Sequence, residues 1–123
     1  MAFYHLSKEE RTTLVRQMEA MIAKAVQTSQ LQPLFLYAAD EDTYIRKSTY
    51  QALGKIYQVQ PVAVLRAITT LLQHSDAKVR QTAINAAGEI GRHDFSAVRA
   101  YKDFAVKTQE EAIAFMAKHF GDI

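Results

Sequence analysis

Because the sequence contains no cysteine, the side chains that could bind a metal ion in this chain are histidines and carboxylates. No two histidines are four residues apart, the spacing that places two metal ligands on one helix face. The acidic run at 40–42 lacks the alternating ligands and the glycine of a calcium loop. We therefore expect no metal site and no cofactor, and we interpret four histidines as isolated surface or capping groups: His5, His74, His93 and His119.

Sequence motifs of nucleophilic and nucleotide-binding sites are also absent. There is no Gly-x-Ser-x-Gly, no phosphate-binding loop and no dinucleotide fingerprint. No residue is identified as a nucleophile with a neighbouring base. The sequence therefore predicts a protein that binds rather than catalyses.

The composition favours a single helical domain. The helices of that domain must then position any binding residues. The 123 residues are 49% hydrophobic and 23% charged, which is typical of one globular domain. Four glycines and two prolines are too few for a turn-rich sandwich or barrel. Because no apolar run approaches the roughly 18 residues of a membrane span and the N-terminus lacks a secretory pattern, we expect a soluble, cytoplasmic protein.

The charge is unevenly distributed along the chain. Residues 43–107 carry a net charge of +6, whereas residues 1–42 and 108–123 each carry −2. A basic middle segment could attract an acidic partner, but ordinary solvated helix faces explain it equally simply, and we favour that interpretation.

Capping signals and apolar spacing define the helices. Ser7 and Glu10 form a capping-box pattern, and apolar residues then recur at three- and four-residue steps, which predicts a helix over 7–28. Six further helices are expected, each beginning at a proline or at a capping Asp, Ser or Thr. Their predicted ranges are 32–38, 43–58, 61 to the turn at 74–76, 77–90 closed by Gly91, 94 or 96 to 105, and 109–121.

A repeat of 34 residues is the strongest pattern in the sequence. Shifting the chain by 34 residues aligns an Asp, an Arg and a Gly in register with apolar positions, and a period of this length indicates a solenoid of stacked helix pairs. The matched residues are Asp42 and Asp76, Ile45 and Val79, Arg46 and Arg80, Ala52 and Ala86, Gly54 and Gly88, and Ile56 and Ile90.

This pattern resembles the HEAT-repeat family, particularly short bacterial repeats like those of phycobilin-lyase-type and DNA-alkylation-repair-like proteins. The resemblance implies an all-α, right-handed α-α superhelix of about three helical hairpins with an N-terminal capping helix. The expected domain covers 1–123, with the cap at 7–28 and repeats at 31–58, 61–91 and 94–121. The third repeat is degenerate, because Gln109 and Ile113 replace the repeated Asp and Arg.

The resemblance also implies a structural role for the repeated charges, as a ladder between neighbouring repeats: Asp42, Arg46, Asp76 and Arg80. The two arginines would donate to loop acceptors, including the two aspartates. A phosphate-gripping role is the alternative, but recurrence in register with core residues favours the ladder. Gly54 and Gly88 lie inside helices, and we expect them to permit close helix packing or to form the floor of a groove.

In HEAT proteins the second helix of each repeat lines the concave surface. A helical wheel places a row of amide and cationic side chains there, opposite the core positions. We expect this face to bind a protein partner, with nucleic-acid binding as the alternative. The candidate residues are Lys47, Gln51, Lys55, Gln58, Gln81, Asn85 and Arg92.

Four tyrosines interleave with these lysines, as in nucleic-acid platforms. Tyr37 and Tyr50 match Leu71 and Ile84 in the next repeat, so we expect them to pack between helices. Tyr44 and Tyr57 match no apolar residue and are the ones predicted to be available to a ligand.

Some HEAT-like proteins are DNA glycosylases or phycobilin lyases. The glycosylases use tryptophans and a catalytic Asp on a longer array, whereas this chain has no tryptophan and offers no matching residue. Enzymatic activity is therefore only an alternative here.

In the predicted last helix, apolar residues cover more of the helix surface than the single stripe that a terminal helix should bury. A terminal unit normally presents a polar outer face, so we expect a homodimer through this end or a further repeat that covers it. The residues concerned are Ala112, Ile113, Phe115, Met116 and Phe120.

Overall fold

The computed structural model of the chain describes residues 3–93, which are helical with short turns and contain no strand. A single 3₁₀ turn at Phe3–His5 is followed by five α-helices. They are α1 (Lys8–Thr28), α2 (Gln32–Ala38), α3 (Thr43–Tyr57), α4 (Pro61–Leu72) and α5 (Ala77–His93). The predicted all-α class is confirmed. The third repeat and the C-terminal dimer surface lie outside the described residues.

The helix starts follow the predicted capping groups. Ser7 accepts from the Glu10 amide while the Glu10 carboxylate accepts from the Ser7 amide, which completes the capping box of α1. Asp42 accepts from the Tyr44 amide at the start of α3, and Pro61 is the first residue of α4. These local bonds explain why the starts were predictable from the sequence.

The end of α5 was predicted wrongly. Gly91 was expected to stop the helix at Ile90, but α5 continues through Gly91 to His93. A glycine stops a helix when it takes a left-handed conformation, and no described glycine has a positive φ. The one described residue in that region is Ser29, at φ 59°, which closes α1.

The core lies between α1, α3 and α5 on one side and α2 and α4 on the other. α3 packs against both α1 and α5, and α4 packs against α5. Each helix contributes fully buried apolar side chains, among them Met18, Ile22, Leu34, Leu53, Ile68, Leu71 and Ile90. The second helices of successive units therefore stand side by side, with α1 covering the start of the row.

Candidate functional site

The two turns before α3 and α5 have the same architecture. Arg46 donates to the carbonyl oxygen of Asp40 and, at 3.3 Å, to the hydroxyl of Thr43. Arg80 donates to the carbonyls of His74 and Ser75 at 2.7 and 2.8 Å. Both arginines thus donate to acceptors in the turn of their own repeat, and these bonds do not form the ladder between neighbouring repeats that was expected. These bonds satisfy turn carbonyls that would otherwise lack partners.

A further pair of matched residues, which the repeat pattern did not reveal, completes these turns. The backbone amides of Asp42 and Asp76 donate to side chains two residues earlier, namely Asp40 Oδ1 at 2.8 Å and His74 Nδ1 at 3.0 Å. A carboxylate and an imidazole perform the same task at equivalent positions. The difference in residue type hid the equivalence from a residue-by-residue comparison.

Asp42 also binds the N-terminal segment. Its second carboxylate oxygen accepts from the Phe3 amide at 2.6 Å, and the Phe3 ring stacks on Tyr44 with centroids 5.9 Å apart. The bond from Phe3 and, more weakly, that from Tyr44 hold the pKa of the Asp42 carboxyl below its usual value, although partial burial acts in the opposite direction. Tyr44 is therefore a docking point for the chain's own N-terminus, with half of its surface still exposed.

The predicted binding residues lie at exposed positions on α3 and α5. Equivalent residues of the two helices occupy equivalent positions, and α3 packs directly on α5. Together they form a surface that we call the polar face: Lys47, Gln51, Lys55, Gln58, Gln81 and Asn85. The side chain of Arg92 lies outside the described part.

Most groups on the polar face are neutral amides. Gln81 donates to Asn85 at 3.3 Å along α5. Lys55 pairs with Glu19 of α1 at 3.0 Å, which offsets one of the two lysine charges on α3. Exposed pairs of this kind contribute at most about 1 kcal/mol. The face is thus suited to hydrogen bonding more than to holding a polyanion.

Gly54 was expected to permit close helix packing or to form the floor of a groove, and the close packing is what the structure shows. It is buried, because α5 crosses α3 at this point. A Cβ built on Gly54 would lie 2.8 Å from the Cβ of Glu89. At the matching Gly88 no described atom comes within 4 Å of such a Cβ. A helical wheel shows how residues are arranged around one helix, but it does not show which of them a neighbouring helix covers.

The tyrosine predictions were half correct. Tyr37 and Tyr50 pack against the core, as expected from their apolar counterparts. Tyr57 was predicted to be available to a ligand, but it is 8% exposed and belongs to the core. It lies in the last turn of α3.

A cleft lies away from the polar face. It has a volume of about 860 Å³ and separates the end of α1 and the start of α2 from α4. Its apolar floor includes Met21, Ala25, Leu31, Phe35 and Ala67, and its charged lining residues are Lys24 and Arg66. Met21, an apolar residue of α1, is 46% exposed at this cleft.

The described residues offer no metal centre. Within residues 3–93, no three histidine, aspartate or glutamate side chains are grouped so that they could hold an ion. His74 instead contacts the Phe35 ring, with centroids 5.0 Å apart. None of the helices in this part of the chain has the length and apolarity needed to cross a membrane.

Comparison with known families gives one match. A family model described as HEAT repeats matches residues 31–120. This range includes both helix pairs, α2–α3 and α4–α5, and leaves α1 before it. No curated protein and no solved structure matches the chain.

Proposed function

The chain belongs to the HEAT-repeat family of α-solenoids, and on that premise we propose that it is a non-catalytic interaction module whose polar face binds a partner protein. Solenoids place equivalent residues of successive repeats side by side and so build extended binding surfaces. The observation that carries the proposal is the row of exposed amides on the contacting helices α3 and α5. Gln51 and Asn85 are at matched positions in this row.

The chemistry of the polar face favours a protein over a nucleic acid. Nucleic-acid affinity comes mainly from cations that neutralise phosphates. Four of the six described residues are neutral amides, and Lys55 is already paired with Glu19. Amides can donate to and accept from a partner's backbone and polar side chains with equal ease.

One double variant and one control variant test the proposal. The double substitution Gln51→Glu and Asn85→Lys changes the hydrogen-bonding pattern of the face while keeping the net charge. Arg16→Gln changes an exposed residue of α1 outside the face. We expect tagged wild type and Arg16→Gln to co-purify the same protein from the native host after nuclease treatment, and the double variant to lose it. Retention by the double variant would contradict the proposal.

The dependence of affinity on salt concentration distinguishes nucleic-acid binding from protein binding. Phosphate contacts give an affinity that falls linearly with salt on logarithmic axes. We expect no binding of duplex or single-stranded DNA at about 50 mM salt, near physiological pH. Binding there that weakens steeply by about 200 mM would favour the nucleic-acid alternative.

A cytoplasmic location, a right-handed superhelix with three repeats and a homodimer through the C-terminal helix remain predictions from the sequence. For the dimer, light scattering should show Phe115→Glu or Ile113→Arg as a monomer and the unmodified chain as a dimer.

A further inference from the structure

The cleft beside α4 arises because the first helix of the first repeat is short. α2 has seven residues and α4 has twelve. When the two repeats are aligned by the 34-residue shift, α4 begins at the position that corresponds to residue 27, whereas α2 begins only at residue 32. Residues 27–31 therefore correspond to the first five residues of α4. They form the last turn of α1 and an irregular link that lines the cleft. Five helical residues span about 7.5 Å, so about one and a half turns of helix are missing here.

The floor of the cleft is apolar and partly open to solvent. Phe35, Leu31 and Ala63 are half-buried and pack against the core from this side, and Met21 is 46% exposed. The threonine hydroxyls of the lining are already used within their own helices, since Thr28, Thr69 and Thr70 each donate to a backbone carbonyl four residues earlier. An occupant would therefore meet mainly apolar surface at the centre.

The charges of the lining all have one sign. Lys24 of α1 and Arg66 of α4 are exposed, and neither makes an ion pair within the described part of the chain. No aspartate or glutamate is among the lining residues. The cleft thus presents two cations beside an apolar floor, a combination that complements an acidic amphipathic ligand.

We propose that this cleft is a second docking site, which binds a short acidic, amphipathic helix of a partner protein. Apolar side chains of the helix replace the missing turns of α2 on Phe35 and Met21, and its carboxylates lie against Lys24 and Arg66. The occupant is a helix because the space is that of an absent helical segment. The site shares no residue with the polar face, so this proposal does not depend on the function proposed above.

The test uses a fluorescent 14-residue peptide in which glutamate and leucine alternate in pairs, giving one apolar and one acidic face. Two control peptides accompany it, one with every glutamate replaced by lysine and one with the same composition in an order that has no apolar face. We expect anisotropy to show saturable binding of the acidic peptide and none of the other two. Equal binding of either control would overturn the proposal.

Protein variants locate the binding. Lys24→Glu and Arg66→Glu should each weaken binding of the acidic peptide about fivefold, because each reversal removes an attraction worth up to about 1 kcal/mol. The double variant should weaken it further. Arg16→Glu makes the same charge change on α1 outside the cleft and should have little effect. An equal loss with Arg16→Glu would show that only net charge matters and would overturn the proposal.

A cavity-filling variant tests the apolar part of the site. Ala63→Phe places a ring at the half-buried edge of the cleft and should abolish binding without changing the charge. Thermal unfolding of each variant shows that it is folded. Binding that persists in folded Ala63→Phe contradicts the proposal. Binding of dodecanoate without binding of the peptide also contradicts it, because the cleft would then be a site for small amphiphiles.

Discussion

Asp42 and Asp76 occupy equivalent repeat positions, but among the contacts of the described residues only Asp42 binds a second segment of the chain. Both accept from the amide two residues ahead, at 2.9 and 2.7 Å, as helix N-caps. Asp42 also accepts from Phe3 at 2.6 Å. The repeat pattern predicted the caps, because they are local, but the contact with Phe3 joins residues 39 positions apart and leaves no periodic signal.

Removing the two carboxylates should therefore have unequal effects on stability. Loss of an N-cap costs about 1 kcal/mol, and loss of a hydrogen bond to a charged group costs about 1 kcal/mol or more. We expect Asp42→Ala to lower the free energy of unfolding by about 2 kcal/mol and Asp76→Ala by about 1 kcal/mol. Urea denaturation measures both, and equal losses would contradict the role of the Phe3 contact.

The Asp42 carboxyl should also make stability depend on pH. Because its pKa is lower in the folded than in the unfolded chain, its contribution is present above the unfolded value and is lost as the pH falls through the folded one. Wild type should exceed Asp42→Asn in stability at pH 6. The difference should shrink steadily below about pH 4. A difference that is constant from pH 6 to pH 2.5 would count against this account.

At the scale of elements, the contact between α3 and α5 depends on a glycine. Gly54 lets the backbone of α3 approach Glu89 of α5, whereas Gly88, one repeat later, has nothing described within 4 Å of its Cβ position. The same residue type at matched positions thus meets different surroundings. Glycine costs a helix about 1 kcal/mol relative to alanine, so a packing requirement explains Gly54.

Alanine at the two glycines should have opposite effects. Gly54→Ala places a methyl group 2.8 Å from a Cβ that cannot rotate away, so the helices must separate, and overpacking of this kind costs about 1–3 kcal/mol. Gly88→Ala should be neutral or stabilise the chain by up to about 1 kcal/mol. Thermal unfolding compares them, and a stabilised Gly54→Ala variant would show that α3 and α5 are not in close contact.

The sequence predicted the described helices well, since caps, prolines and apolar spacing act within a few residues. It located the starts of α1, α3 and α4 and the core residues they share. It could not show that α5 covers Gly54, that Tyr57 turns into the core, or that the shortness of α2 opens a cleft. Those features depend on how one helix lies on another. The five-position offset between the starts of α2 and α4 was visible in the sequence and was the available signal for the cleft.

At the scale of the whole molecule, α1 covers the first repeat. It contributes four buried residues to the core, Met18, Ile22, Ala25 and Val26. Full burial of a large apolar side chain is worth about 1.5–3 kcal/mol, and a domain's total stability is only about 5–15 kcal/mol. In a solenoid each unit is stabilised mainly by its neighbours, so loss of the covering helix cannot be compensated from a distance.

Deletion of residues 1–28 should therefore lower the melting temperature sharply or prevent cooperative unfolding altogether. Ile22→Ala is the milder variant and should cost about 2–5 kcal/mol, because Ile22 is fully buried. Ala20→Ser, at an exposed position of the same helix, serves as the control and should cost less than about 1 kcal/mol. A shortened chain that melts at the wild-type temperature would show that α1 has no capping role.

The central claim is that the polar face binds a protein, and site-specific photo-crosslinking in the native host tests it most directly. A photoreactive amino acid replaces Gln51 or Asn85 on the face and, as the control, Leu36, which is 65% exposed on α2. We expect one shared adduct at both face positions, sensitive to protease, resistant to nuclease and absent with Leu36. Adducts that nuclease removes, or that form equally at Leu36, would contradict the claim.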